Sequence, residues 1–256
     1  MTDINFPLEE KLAAEIVRAS RAYYMGKPIM SDDLFDELVN KLHSVNPNHK
    51  VFNKPFGGDS LLSLDNCRLD EWYRGKRKNT SLVIEPKIDG VALALVYQSG
   101  ELQRAYTRTG RDVTRYAFEV GDIPVTVPRG GQFVVRGELY AFNEFSPKSQ
   151  RITAAQLRRI EPECHLLSFM AFQIMNSNND HKENLEVLNQ YDFNIVPYRE
   201  ASNYDEIKQC HDDWLDGRFF EYLPTDGIVV KVNSRHIQRE LGQNTKCPHW
   251  AVALKG

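Results

Sequence analysis

The chain has 256 residues, of which 41% are hydrophobic and 11% aromatic, and a formal net charge of -3. That length calls for one large domain with a small companion, and the composition allows a packed core. The slightly acidic balance excludes a global nucleic-acid footprint, so any such contact needs a local patch or a partner, and with no apolar run of membrane-spanning length the chain reads as a soluble protein.

Residues 1–45 read as helical. Leu8, Leu12, Ile16 and Ala19 recur at three- and four-residue steps, and after a turn at Gly26-Lys27-Pro28 a second helix carries Leu34, Phe35, Leu38, Val39 and Leu42. Ser31 or Asp32 can cap it. The stretch from Val51 to Ser60 reads as a linker. Beyond it the texture is that of strands, expected at 82–97, 101–108, 133–140, 166–175, 226–233 and 250–255. Helices are expected at 182–191 and 205–216. Strands without strict alternation with helices favour an α+β fold with a largely antiparallel sheet. The four cysteines (Cys67, Cys164, Cys210 and Cys247) lie far apart, which argues against a zinc or disulfide framework and suits a reducing, cytoplasmic setting.

The chemistry concentrates in charged residues set into apolar runs. Glu85-Pro86-Lys87-Ile88-Asp89-Gly90 precedes the apolar run Val91–Tyr97. In an extended backbone Glu85, Lys87 and Asp89 share a face, so a lysine able to act as a nucleophile stands between two acids. Phe133–Tyr140 places Arg136 and Glu138 on one face. Asp226–Val232 sets Lys231 in an apolar strand, Trp250–Lys255 does so for Lys255, and Thr107-Arg108 closes the first hairpin. Lysines are rarely buried without partners, so several together suggest a pocket for an anion such as phosphate. Each residue alone has a plainer reading. Lys231 or Lys255 can snorkel from a sheet edge, Glu85 or Glu138 can form structural ion pairs, and Asp226-Gly227 can be a turn. The joint pattern shifts the balance toward a site.

In order, Glu-Pro-Lys87-Ile-Asp89-Gly90, Thr-Arg108, Val-Arg-Gly-Glu138, Ser-Phe-Met-Ala-Phe172, Thr-Asp226-Gly-Ile-Val-Val-Lys231 and Trp250-Ala-Val-Ala-Leu-Lys255 resemble the nucleotidyltransferase motifs of covalent ligases. More closely, the chain is similar to the N-terminal part of NAD-dependent DNA ligases. Ser31-Asp32-Asp33-Leu34-Phe35-Asp36-Glu37-Leu38 resembles their hairpin that recognises nicotinamide mononucleotide (NMN), and Leu62-Ser63-Leu64-Asp65-Asn66 resembles the segment that meets adenine. The resemblance implies a helical NMN-recognition domain over 1–52 and an ATP-grasp-like nucleotidyltransferase domain over 53–256.

It also implies roles. Lys87 attacks the α-phosphorus of NAD and holds AMP as a phosphoramidate, with Asp89 beside it in the motif. Glu85, Ser63 and Leu64 position adenine, and Phe172 stacks on it. Arg108 and Glu138 hold the ribose, Lys231 and Lys255 contact the phosphate, and Asp226 organises Mg²⁺ or the reacting groups. Tyr23, Asp32, Phe35 and Asp36 receive the nicotinamide nucleotide, while Arg151 and Arg158 match a basic stretch that holds phosphate or DNA.

The chain departs from the family in several places. The loop after Thr107-Arg108 is short, Phe35 replaces a tyrosine, Tyr23 sits one place closer to Asp32 than usual, and Gly256 stands where phenylalanine is expected. Segments for the OB, zinc, helix-hairpin-helix and BRCT domains do not follow. The expected function is therefore self-adenylation from NAD. Sealing of nicked duplex DNA would require a missing C-terminal segment or a second polypeptide. The alternatives are an ATP- or GTP-using nucleotidyltransferase of RNA-ligase or capping type, and a non-catalytic scaffold with the same fold.

Overall fold

The computed structural model describes residues 7–24, 29–46, 64, 69–74, 80–142, 148–175, 177–243 and 247–256, and the chain divides into two units, Met1–Ser60 and Leu61–Gly256. In the first unit α1 (Leu8–Tyr24) and α2 (Asp32–Val45) pair as their apolar spacing predicts. Leu12, Ala13 and Ile16 bury against Leu42, with Leu38 alongside. Ser31 is the cap of α2, its hydroxyl accepting from the Leu34 N–H at 3.4 Å. Asn46 donates to Glu9 at 2.8 Å, which ties the end of α2 to the start of α1. The expected linker at 51–60 lies outside the described residues.

The second unit contains two four-stranded antiparallel sheets. One has the order β6-β1-β7-β8, from β1 (Leu82–Ile88), β6 (Arg199–Ala201), β7 (Thr225–Val232) and β8 (Ala251–Lys255). The other has the order β3-β2-β4-β5, from β2 (Val91–Gln98), β3 (Glu101–Thr107), β4 (Gln132–Ala141) and β5 (Leu167–Ile174). Each sheet has its own core. Leu82, Ile84, Ile228, Val230, Val252 and Leu254 pack under α3 (Leu69–Arg74) and α7 (Tyr204–Leu215). Leu93, Leu95, Val135, Leu139, Phe169 and Ala171 pack with Leu185 and Leu188 of α6 (His181–Gln190). Two further helices, α4 (Thr114–Glu119) and α5 (Ser149–Gln156), flank the second sheet, and α8 (Arg235–Leu241) follows β7.

The single strand expected over 82–97 is in fact two strands in different sheets. The Asp89 N–H bonds to Pro224 O at 2.8 Å, which takes the chain off the β7 ladder. At Gly90 the backbone passes so close to β4 that a Cβ would lie 2.3 Å from Leu139 O. Both sides of the break are apolar, so periodicity could not reveal it. The switch places the end of β1 where the two sheets meet. Among the described residues, α3, α4, α5, α8, the three-residue β6 and a short 3-10 helix at Cys164–Leu166 were not anticipated.

Candidate active site

The strand β1 buries Leu82 and Ile84 in one core, so Val83, Glu85 and Lys87 belong to the opposite face. Its ladder with β7 pairs Pro86 with Ile228 and then Ile88 with Thr225, so Asp226 and Gly227 oppose Lys87 alone. This is a β-bulge, and Pro86, which has no N–H to donate, sits beside it. The bulge re-aims Asp226 at Lys87, whose Nζ donates to Oδ1 at 2.6 Å. The other oxygen of Asp226 meets Lys255 Nζ at 2.9 Å. Lys255 comes from β8 opposite Gly227, where a Cβ would lie 2.2 Å from Leu254 O. One half-buried carboxylate therefore bridges two ammonium groups. Burial would raise the Asp226 pKa, but the hydrogen bonds and charges of Lys87 and Lys255 carry it below the ordinary value.

A second cluster lies further along the same two strands. Glu85 opposes Val229, and Lys231 opposes Val83, so the two are diagonal neighbours. Lys231 Nζ lies 2.5 Å from Glu85 Oε2, and His181 Nε2 lies 2.5 Å from Glu85 Oε1. Burial pushes the Glu85 pKa up, yet Lys231 and His181 together hold it below the ordinary value. Burial, abetted by Lys231, lowers the pKa of His181 against the pull of Glu85. Lys231 Nζ also lies 4.9 Å from the centroid of the Phe172 ring, over which Arg136 sits at 5.6 Å.

Glu138 on β4 is half-buried opposite Ala92. Burial pushes its carboxyl up to about 8, against the charges of Lys87, Arg136 and Arg108. Asp89 is raised by burial, opposed by the N–H of Gln150, which approaches its Oδ2 at 3.5 Å. That contact sets the first turn of α5 beside the site.

The predicted residues thus fall into three groups. Lys87, Asp226 and Lys255 form one cluster, and Glu85, Lys231 and Phe172 form another; the charges of Lys87 and Asp89 act on Glu138. Glu85 and Lys87, expected on one face of the strand, take different partners. Lys231 and Lys255 do not stand as open anion sites, because each already holds a carboxylate. Arg108 is exposed just past β3, its N–H bonded to Ala92 O at 3.1 Å. Arg151 on α5 and Arg158 just beyond it are both exposed, and Leu64 is half-buried. Ser63 and the side chains of Tyr23, Asp32, Phe35 and Asp36 lie outside the described residues, although Tyr23 belongs to α1 and the other three to α2. Sequence reasoning missed His181. Asp180 and Glu183 around it make a capping box that marks a helix start, but nothing local pointed to Glu85 as its partner.

The chain matches the family described as NAD-dependent DNA ligase adenylation domain over residues 50–256. It is 30% identical to a DNA ligase of Fervidobacterium nodosum, across 96% of this chain and 44% of that protein. It is 31% identical to a DNA ligase of Petrotoga mobilis, across 96% of this chain and 45% of that one. It therefore spans under half the length of these curated relatives. Among solved structures, one named Pmar-Lig_Pre superposes with a TM-score of 0.52 at 12% identity, covering 86% of this chain and 50% of that one. At that identity the likeness is one of fold. No helix among the described residues is long and apolar enough to cross a membrane. The chain belongs to the family of NAD-dependent DNA ligase adenylation domains.

Proposed function

We propose that this chain transfers the AMP half of NAD to Lys87, as the first step in sealing nicked duplex DNA. The observation that carries the proposal is the Lys87–Asp226–Lys255 bridge at the end of β1, which holds an amine, an orienting acid and a second cation within hydrogen-bond reach. The Lys87 ammonium gives one proton to solvent as it is released from Asp226, and the neutral amine attacks the α-phosphorus, giving a second proton to solvent as the phosphoramidate forms. A nitrogen–phosphorus bond forms, the phosphorus–oxygen bond to the NMN half breaks, and NMN leaves. Lys255 exchanges its carboxylate partner for a phosphate oxygen, and Lys231, still held by Glu85, turns another of its three N–H groups to the phosphate. The rest is positioning and neutralisation of charge.

Glu85 and Phe172, with Ser63 and Leu64, take the adenine, and Arg108 and Glu138 the ribose. Tyr23, Asp32, Phe35 and Asp36 receive the NMN half, in a helical domain whose boundary we place at 52/53. Arg151 and Arg158 face DNA phosphate. The described residues contain no cluster of three or more metal-ligating side chains. This donor set suits Mg²⁺, which uses one or two carboxylates with substrate phosphates rather than a full protein cage. Asp226, Asp89 and Glu138 are the acids available to it, and the ion would supply charge neutralisation at the phosphates. Nick sealing itself is assigned to the chain acting with OB, zinc and helix-hairpin-helix segments, supplied by the rest of a longer polypeptide or by a second one.

Intact-protein mass spectrometry after separate incubation with NAD, ATP and GTP in Mg²⁺ buffer tests the reading. One adenylyl group should appear with NAD alone, and not in Lys87→Ala. An adduct formed only from ATP, a guanylyl adduct formed only from GTP, or no adduct with any donor would overturn it.

A further inference from the structure

We infer that His181 is a positioning residue for the nucleotide, fixing the Glu85 carboxylate and, through it, the Lys231 ammonium. This deepens the proposed function and rests on its assignment of Glu85 to the adenosine half of NAD. The side chains of His181, Glu85 and Lys231 are only 4%, 3% and 8% exposed, so each depends on the others for polar partners. An ionised carboxylate has no hydrogen to offer, so the 2.5 Å contact requires that Nε2 of His181 carry the proton and donate it to Oε1. Lys231 takes Oε2. With one oxygen fixed by an ammonium and the other by an imidazole, the carboxylate plane cannot turn. About two of its four lone-pair directions remain for a donor on a ligand. If His181 were lost, Glu85 would pivot about its contact with Lys231, and Lys231 would drift from the ring of Phe172.

The backbone holds His181 in place from two sides. The helix α6 packs on β5, the strand of Phe172, in one sheet. Its first turn is tied to the end of β7 in the other sheet, where the His181 N–H bonds to Asn233 O at 2.9 Å and the Lys182 N–H to Asn233 Oδ1 at 3.0 Å. Asp180 completes the clamp by accepting from the Arg235 N–H at 2.8 Å. A histidine held by both sheets against a buried carboxylate is placed more tightly than filling a core requires.

The test compares His181→Leu, His181→Gln and the unaltered chain, each freed of AMP by prior incubation with NMN. Glutamine keeps an N–H donor and leucine does not. His181→Leu should raise the KM for NAD, and the calorimetric Kd for AMP, by at least about tenfold while kcat for adduct formation falls less than about threefold; His181→Gln should recover most of the loss. In the unaltered chain, nitrogen-15 spectra should show His181 protonated at Nε2 only, with a signal that moves on addition of AMP. If His181→Leu keeps the unaltered KM and Kd, if glutamine restores nothing, or if the signal ignores AMP, the inference is wrong. The spectrum decides even where His181→Leu fails to fold. An unaltered chain that forms no adduct from NAD sinks the proposed function as well, whereas normal adduct formation with an indifferent His181→Leu sinks this inference alone.

Discussion

Replacing Lys231 by methionine isolates the energetics of the buried cluster. The substitution keeps the length of the side chain but removes the charge opposite Glu85, which is 3% exposed on its side chain. Breaking a buried pair from one side leaves an uncompensated charge and costs about 3–5 kcal/mol. For a chain of this size that is a fall of roughly 6–20 °C in Tm. His181 gives the loss a pH signature. In the unaltered protein burial and Lys231 hold its pKa below the ordinary 6.5, so its contribution to stability is full above that value and declines as the pH falls. In Lys231→Met the repulsion by Lys231 is gone and the attraction of Glu85 remains, so the imidazole takes up a proton at higher pH and offsets the stranded carboxylate. The stability deficit should therefore narrow as the pH falls from about 8 to about 5.5. Urea unfolding followed by tryptophan fluorescence measures it directly, because Trp72, Trp214 and Trp250 all pack on the core of this sheet. Adding Glu85→Gln to Lys231→Met should recover a substantial part of the loss. A deficit under about 1 kcal/mol that is indifferent to pH would refute the account of a tightly coupled pair.

Asp226→Asn should behave in the opposite way. Its partners are half-buried or exposed, so the unfolding free energy should change by only about 1 kcal/mol, while adduct formation from NAD, read by intact mass, should slow by about 10²-fold as two charge-assisted hydrogen bonds are lost. Gly90→Ala forces a Cβ toward Leu139 O at 2.3 Å; a loss of about 1–3 kcal/mol in urea unfolding is expected, with slower adduct formation because the end of β1 shifts. Asn203 caps α7 by accepting from the Glu206 N–H at 2.9 Å. Asn203→Ala should lower stability by about 1 kcal/mol and leave the adduct rate unchanged.

The parts of this chain that could be read from sequence are those governed by local periodicity. Leu12, Ile16 and Leu42 announce the helical pair, and the alternation around Val135 and Leu139 announces β4. The charged segments were legible because a lysine inside Ile228–Val232 breaks an apolar pattern. What stayed hidden depends on contacts between residues distant in sequence. The break at Asp89-Gly90 is set by Pro224 and Leu139, and no window around residue 90 contains either. Carboxylate partners for Lys231 and Lys255 were out of reach for the same reason: a strand pattern shows which face a side chain takes but not the register of its neighbour. His181 lies 96 positions from Glu85 along the chain. The bulge at Asp226-Gly227 reads locally as a turn, and only its pairing with β1 turns it into a device that directs an acid at an amine.

The two lysine clusters carry a consequence for how an anion would be admitted. Lys87 and Lys255 share the Asp226 carboxylate and Lys231 holds Glu85, so each of the three ammonium groups already has a carboxylate partner. A phosphate entering here meets no empty electropositive well. It must compete with resident acids for the ammonium groups, so its affinity should respond less to ionic strength than the number of nearby lysines would suggest.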